Sequence, residues 1–90
     1  MNQAGRIISI NPPRAVPGGE VVIECEGFKV AYDIDHGVYF SGLKARLIGA
    51  SSRRVIAVVP EEFVSGETNV YLESGGERSE PFQMQVGKRL

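Results

Sequence analysis

The chain has 90 residues, a formal net charge of −1 and 23% charged residues, which fits one small domain with a modest core. No surplus of positive charge draws it toward nucleic acid or an anionic membrane. No apolar run approaches the ~18–20 residues of a membrane-spanning helix, and Met1-Asn2-Gln3-Ala4-Gly5 lacks the apolar segment of a secretory signal.

In chain order, Arg6–Ile10 reads as a first strand with Ile8 and Ile10 inward. Pro12 and Pro13 fix φ and remove two backbone donors, and Pro17-Gly18-Gly19 carries turn chemistry. In Glu20–Glu26, Val21, Ile23 and Cys25 alternate with Val22, Glu24 and Glu26, the period-two signature of a strand with one buried face. Gly27 ends it, and Lys29–Gly37 is a loop of poor periodicity. A third strand covers Val38–Ser41, with Val38 and Phe40 inward and Tyr39 outward. After Gly42, Lys44–Ile48 is a weaker fourth strand. Arg53–Val59, rich in β-branched residues, is a fifth. Pro60-Glu61-Glu62-Phe63-Val64 suits one helical turn that drops Phe63 into the end of the core. Glu67–Ser74 is a sixth strand, with Val70 and Leu72 in and Asn69, Tyr71 and Glu73 out. Gly75-Gly76 is a hairpin signal. Arg78–Val86 returns with Phe82, Met84 and Val86 in and Gln83 and Gln85 out, and Pro81 confines its first half to an edge or a bulge. About seven short strands without an amphipathic helix predict an all-β antiparallel sandwich; a closed barrel fits less well, because the last strand is broken by proline.

The order of these pieces resembles an IPT/TIG domain. The resemblance rests on Ile8-Ser9-Ile10-Asn11-Pro12, Pro17-Gly18-Gly19, Val21-Val22-Ile23 and Gly27-Phe28, then on Val38-Tyr39-Phe40-Ser41-Gly42 with Ala45. It continues through Ser51-Ser52, Val55-Ile56-Ala57-Val58-Val59-Pro60, Asn69-Val70-Tyr71-Leu72, Gly75-Gly76 and Ser79 to Phe82, and so spans about residues 6–86. It implies an immunoglobulin-like early-set sandwich without the usual disulfide. Such domains are mostly spacers and interaction modules of cell-surface receptors, Rel-type transcription factors, starch-acting enzymes and bacterial surface proteins. The charged, aromatic loop at Lys29–Gly37 departs from the family pattern. The tight termini add the expectation of one domain excised from a larger, exported surface or secreted protein.

Few residues suggest chemistry, and each has a plainer reading. Cys25 is the sole cysteine, so no internal disulfide forms, and its inward phase predicts a buried thiol packing as a small hydrophobe. Asp33, Asp35 and His36 are the one group of ligand-capable side chains, but they lack the third carboxylate and motif glycine of a calcium loop. They read as a solvated loop. Glu24 and Glu26 share an outward strand face without a cleft to separate their roles. Arg53-Arg54 and Lys88-Arg89 are short basic pairs, too little for a nucleic-acid surface. No nucleophile elbow or phosphate loop is present. The expectation is a non-enzymatic domain without metal or cofactor.

Two outer faces remain as candidate contact surfaces. In an immunoglobulin-like sandwich Tyr39 and Tyr71 lie outward on neighbouring strands with Gln83 and Gln85 beside them, and tyrosine among polar groups is typical of contact surfaces. The opposite sheet is expected to expose Ile7, Val22, Val55 and Ala57, an apolar face unusual for a free monomer. Either face could dock other domains or proteins, a second copy, or a carbohydrate. Function then divides between a structural or protein-interaction module and a carbohydrate-binding accessory domain of a polysaccharide-acting enzyme, with Tyr32, Tyr39 and Tyr71 as sugar platforms.

Overall fold

Strand alternation is resolved here into two facing sheets. The structure, a computed structural model, describes residues 5–31, 33–62 and 65–87. Its strands are β1 (Arg6–Asn11), β2 (Arg14–Ala15), β3 (Glu20–Glu26), β4 (His36–Phe40), β5 (Leu43–Lys44), β6 (Arg46–Ala50), β7 (Arg54–Val58), β8 (Gly66–Ser74), β9 (Glu77–Arg78) and β10 (Phe82–Val86). One sheet has the order β1-β3-β7-β6; the other has β2-β10-β8-β4-β5, with β9 also on β8. Pairing is antiparallel except between β2 and β10. The fold is an immunoglobulin-like β-sandwich, without helix among the described residues.

The chain changes sheets where its sequence forbids a continuous ladder. Asn11 ends β1 in the first sheet, Pro12 and Pro13 donate nothing, and Arg14-Ala15 resumes beside β10 in the second. Ala45 makes another crossing, between β5 and β6. It is buried, and its N–H donates to the Val38 carbonyl at 2.8 Å. Gly75 and Gly76 hold φ of 58° and 86°, so two residues suffice to join β8 to β9 with Ser74 paired to Glu77. The Lys29–Gly37 loop is tied to the end of β8: Ser74 Oγ donates to the Lys29 carbonyl at 2.7 Å, and Gly75 N–H to the Asp35 carbonyl at 2.9 Å. The third strand accordingly starts at His36, earlier than its sequence suggests, because these bonds override the poor β propensity of His36-Gly37.

Between the sheets, Phe28, Phe40, Ile23, Leu72 and six valines including Val21, Val38 and Val70 are wholly buried. Cys25 belongs to this core. Thr68, Ser74 and Ser79 are the buried polar residues described. Each is bonded: Thr68 to the Ser41 hydroxyl at 2.7 Å, Ser74 to Lys29, and Ser79 to the backbone of Leu72, as desolvated polar groups require.

Two expectations of strand phase are corrected. On β1 the buried residues are Ile7 and Ile10, while Ile8 is 51% exposed. A bulge between Ile7 and Ser9 inserts an extra residue, so two inward isoleucines stand three apart rather than two. On β7, Val55 and Ala57 are fully buried, not outward. Ile23 pairs with Val55 and Val21 with Ala57. Direct cross-strand partners share a face, so the inward phase of β3 fixes that of β7. Of the expected apolar outer face Ile7, Val22, Val55 and Ala57, only Val22 lies outward. Phe63 and Val64, the end of the expected helical turn, and Tyr32 lie outside the described residues.

Candidate interaction surface

The outer face of the six-stranded sheet carries the expected tyrosines. β8 runs between β4 and β9, and Tyr39 and Tyr71 are direct partners across β4 and β8. Their rings are stacked, with centroids 5.4 Å apart and planes within 9°. The Arg78 guanidinium lies 4.3 Å from the centre of the Tyr71 ring. β4 and β9 both pair with Glu73 and Ser74, which places them on opposite sides of β8. Tyr39 and Arg78 therefore cover opposite faces of Tyr71. Glu73 meets Arg78 at 3.5 Å and anchors it from the neighbouring strand.

Lys44 extends this row on the far side. It is the β5 partner of Tyr39, and its stem passes so close to Gly37 that a methyl group there would lie 3.1 Å from Lys44 Cε. The absent side chain of Gly37 is what lets Lys44 lie against the sheet. Gln83 is exposed and Gln85 half-buried on β10, opposite Asn69 and Glu67. Gln83 lies one diagonal step from Tyr71, and Gln85 lies two residues further along β10. Sequence reasoning did not bring Arg78 or Lys44 into the patch. The signal for Arg78 is the two-residue Gly75-Gly76 turn, which sets Arg78 opposite Glu73.

The other candidate groups are dispersed. His36 Nδ1 lies 2.8 Å from the Ile34 carbonyl and its ring packs edge-on against Phe28, 6.0 Å between centroids. Asp33 and Asp35 are exposed. Among the described residues no three histidine, cysteine or acidic side chains gather as for a metal ion. Glu24 pairs with Arg54 at 2.9 Å and Glu26 with Arg6 at 2.8 Å on the outer face of the four-stranded sheet. Burial, and then the charge of Glu24, push the Cys25 thiol above its ordinary pKa, opposite to the shift that activates a nucleophilic thiol. A cleft of about 200 Å³ lies beside the β5–β6 crossing, with Lys44, Arg46, Glu61 and Glu62 in its lining.

No family model matches the sequence, and no curated protein matches it. Solved structures do match. The TIG domain of human nuclear factor of activated T-cells, cytoplasmic 4, superposes with a TM-score of 0.69 at 13% identity, over 98% of this chain and 91% of that one. The chain has an IPT/TIG-like immunoglobulin fold. Part of gamma-CGTase from alkalophilic Bacillus clarkii is similar to this IPT/TIG-like domain at 25% identity and a TM-score of 0.80, covering 93% of this chain and 12% of that one. An auxiliary nutrient binding protein from Bacteroides thetaiotaomicron VPI-5482 is similar at 18% identity and a TM-score of 0.75, over 99% and 22%. The IPT/TIG-like chain thus spans an eighth and about a fifth of the lengths of these two proteins.

Proposed function

We propose that this IPT/TIG-like sandwich is a non-catalytic structural and protein-interaction module of a larger surface or secreted multidomain protein, and that it makes contact through Tyr39, Tyr71, Gln83 and Gln85. The observation that carries this reading is the Arg78–Tyr71–Tyr39 stack. It is a prearranged, half-buried aromatic row on an outer sheet face. Rigid tyrosines lose little conformational freedom on binding and present an apolar body with a polar tip. The likeness to short segments of much longer chains supports the multidomain setting.

The experiment compares wild type with Tyr39→Ala plus Tyr71→Ala as baits for proteins of the producing cell. A partner held by wild type and lost by the double variant is expected. A partner held equally by both, with both baits folded, removes the patch.

A second reading, a carbohydrate-binding accessory domain of a polysaccharide-acting enzyme, is favoured by the 25% identity to part of gamma-CGTase. The stack weighs against Tyr71 as its platform, since both faces of that ring are already covered. Amide shifts during titration with starch or cellulose oligomers decide. Changes at Tyr39 and Tyr71 at about millimolar sugar would favour this reading over a protein partner; a silent spectrum removes it from this face.

A further inference from the structure

The two bulges and the phase of β7 have a joint effect on the four-stranded sheet. β6 repeats what β1 does: a bulge between Leu47 and Gly49 turns Leu47 and Ala50 toward the core and leaves Ile48 51% exposed, as Ile8 is on β1. Both edge strands thus carry an exposed isoleucine. Between them, the central strands β3 and β7 place Val22 opposite Ile56 on the outer face. All four strands of this sheet offer a β-branched apolar residue away from the core. One step along the same face from Val22 and Ile56, Glu24 pairs with Arg54. We propose that this face binds a second copy of the chain, sheet against sheet, about a two-fold axis running along the strands midway between β3 and β7.

The charges select that occupant. This axis carries β3 of one copy over β7 of the other while keeping each residue at its own level. Val22 then lies over Ile56 of the second copy, and Glu24 over its Arg54. The two ion pairs close into a square of alternating sign, and no like charges face each other at that level. The outer strands β1 and β6 come over one another, which brings Ile8 and Ile48 to the same flanks of the apolar centre. A face complementary to itself under a two-fold operation is what an isologous dimer requires. Size sets the strength. A sheet of four strands about 4.8 Å apart and some six residues long is roughly 20 Å on each side, enough to bury on the order of 1,000 Å² in total. That is the lower limit for a specific pair, so the dimer is weak and in rapid exchange.

The test measures mass by sedimentation equilibrium from about 10 μM to about 1 mM, the range in which an interface of this size populates its dimer. Wild type is expected to rise toward twice its monomer mass. Ile48→Lys sits at an exposed edge position and leaves the fold intact, which far-UV circular dichroism checks. It should weaken association at least about tenfold, because a charge enters the apolar flank. Arg54→Glu and Glu24→Arg should each remain monomeric alone, since each sets like charges together across the axis. Mixed in equal amounts they should associate again, because every facing pair is then of unlike charge. Rescue by mixing is beyond any rearrangement within one chain. A single monomer mass for wild type throughout the series overturns the proposal. So does association that survives Ile48→Lys, a mixture that stays monomeric, or a dimer abolished by Tyr39→Ala plus Tyr71→Ala, which would place the contact on the opposite sheet.

Discussion

Tyr39 and Tyr71 are Cα partners across β4 and β8, and their rings lie stacked at 5.4 Å on the solvent side of the sheet. The pairing register sets the ring geometry, and Arg78 clamps the far side of Tyr71. A double-mutant cycle over Tyr39→Ala and Tyr71→Ala should return a coupling of about 0.5–1.5 kcal/mol in urea unfolding. Arg78→Ala should cost about 0.5–1 kcal/mol, a value that vanishes when Tyr71 is already alanine. The cycle removes two of the three tyrosines, so far-UV circular dichroism follows the transition in all four proteins. A coupling near zero would mean that the rings do not stack in solution.

Ser79 does for the last strand what the backbone ladder cannot do next to Pro81. Its N–H donates to the Leu72 carbonyl at 2.9 Å, and its Oγ accepts the Leu72 N–H at 2.9 Å, both in a buried setting. Ser79→Ala leaves the Leu72 N–H desolvated and without that acceptor. The expected loss is about 1–3 kcal/mol with an unchanged denaturant slope, and Ser79→Thr should keep most of the stability by keeping the hydroxyl.

The phase of β7 is testable with one substitution made on both sides of the sheet. Val55→Thr puts a hydroxyl into the core without a partner and should cost about 1–3 kcal/mol. Val22→Thr, half-exposed on the outer face, should stay within about 0.5 kcal/mol of wild type. Equal costs would contradict the register Ile23–Val55.

Cys25 gives a pH dependence of defined sign. Its folded pKa is raised above the ordinary 9.0 by burial first and Glu24 second. The stability tied to the neutral thiol is therefore complete below pH 9.0 and is lost as pH rises through the higher folded value. The stability difference between wild type and Cys25→Ala should shrink from neutral pH toward about pH 10. Alkylation of the native thiol at about pH 8 should be slow and should become fast in denaturant. Rapid alkylation of the native protein would show that the thiol is not buried.

Local rules were enough for much of this molecule. Alternation in β3 and β8 fixed their inward faces, because Glu20, Glu24 and Glu26 hold the phase opposite to Val21, Ile23 and Cys25 on one, and Asn69, Tyr71 and Glu73 the phase opposite to Val70 and Leu72 on the other. Prolines and glycines marked the crossings and the Gly75-Gly76 turn, because φ and the missing N–H are properties of single residues. The outward tyrosines followed from the same alternation. In β1 and β7 the apolar runs Ile7-Ile8 and Val55-Ile56-Ala57-Val58 carry no period, so sequence left their phase open. Only pairing with β3 decided β7, and only the bulges at Ile8 and Ile48 decided the edge strands. Arg78 and Lys44 joined the tyrosines for the same reason: which side chains meet across strands depends on register, and register is a relation between distant segments that neither segment encodes alone.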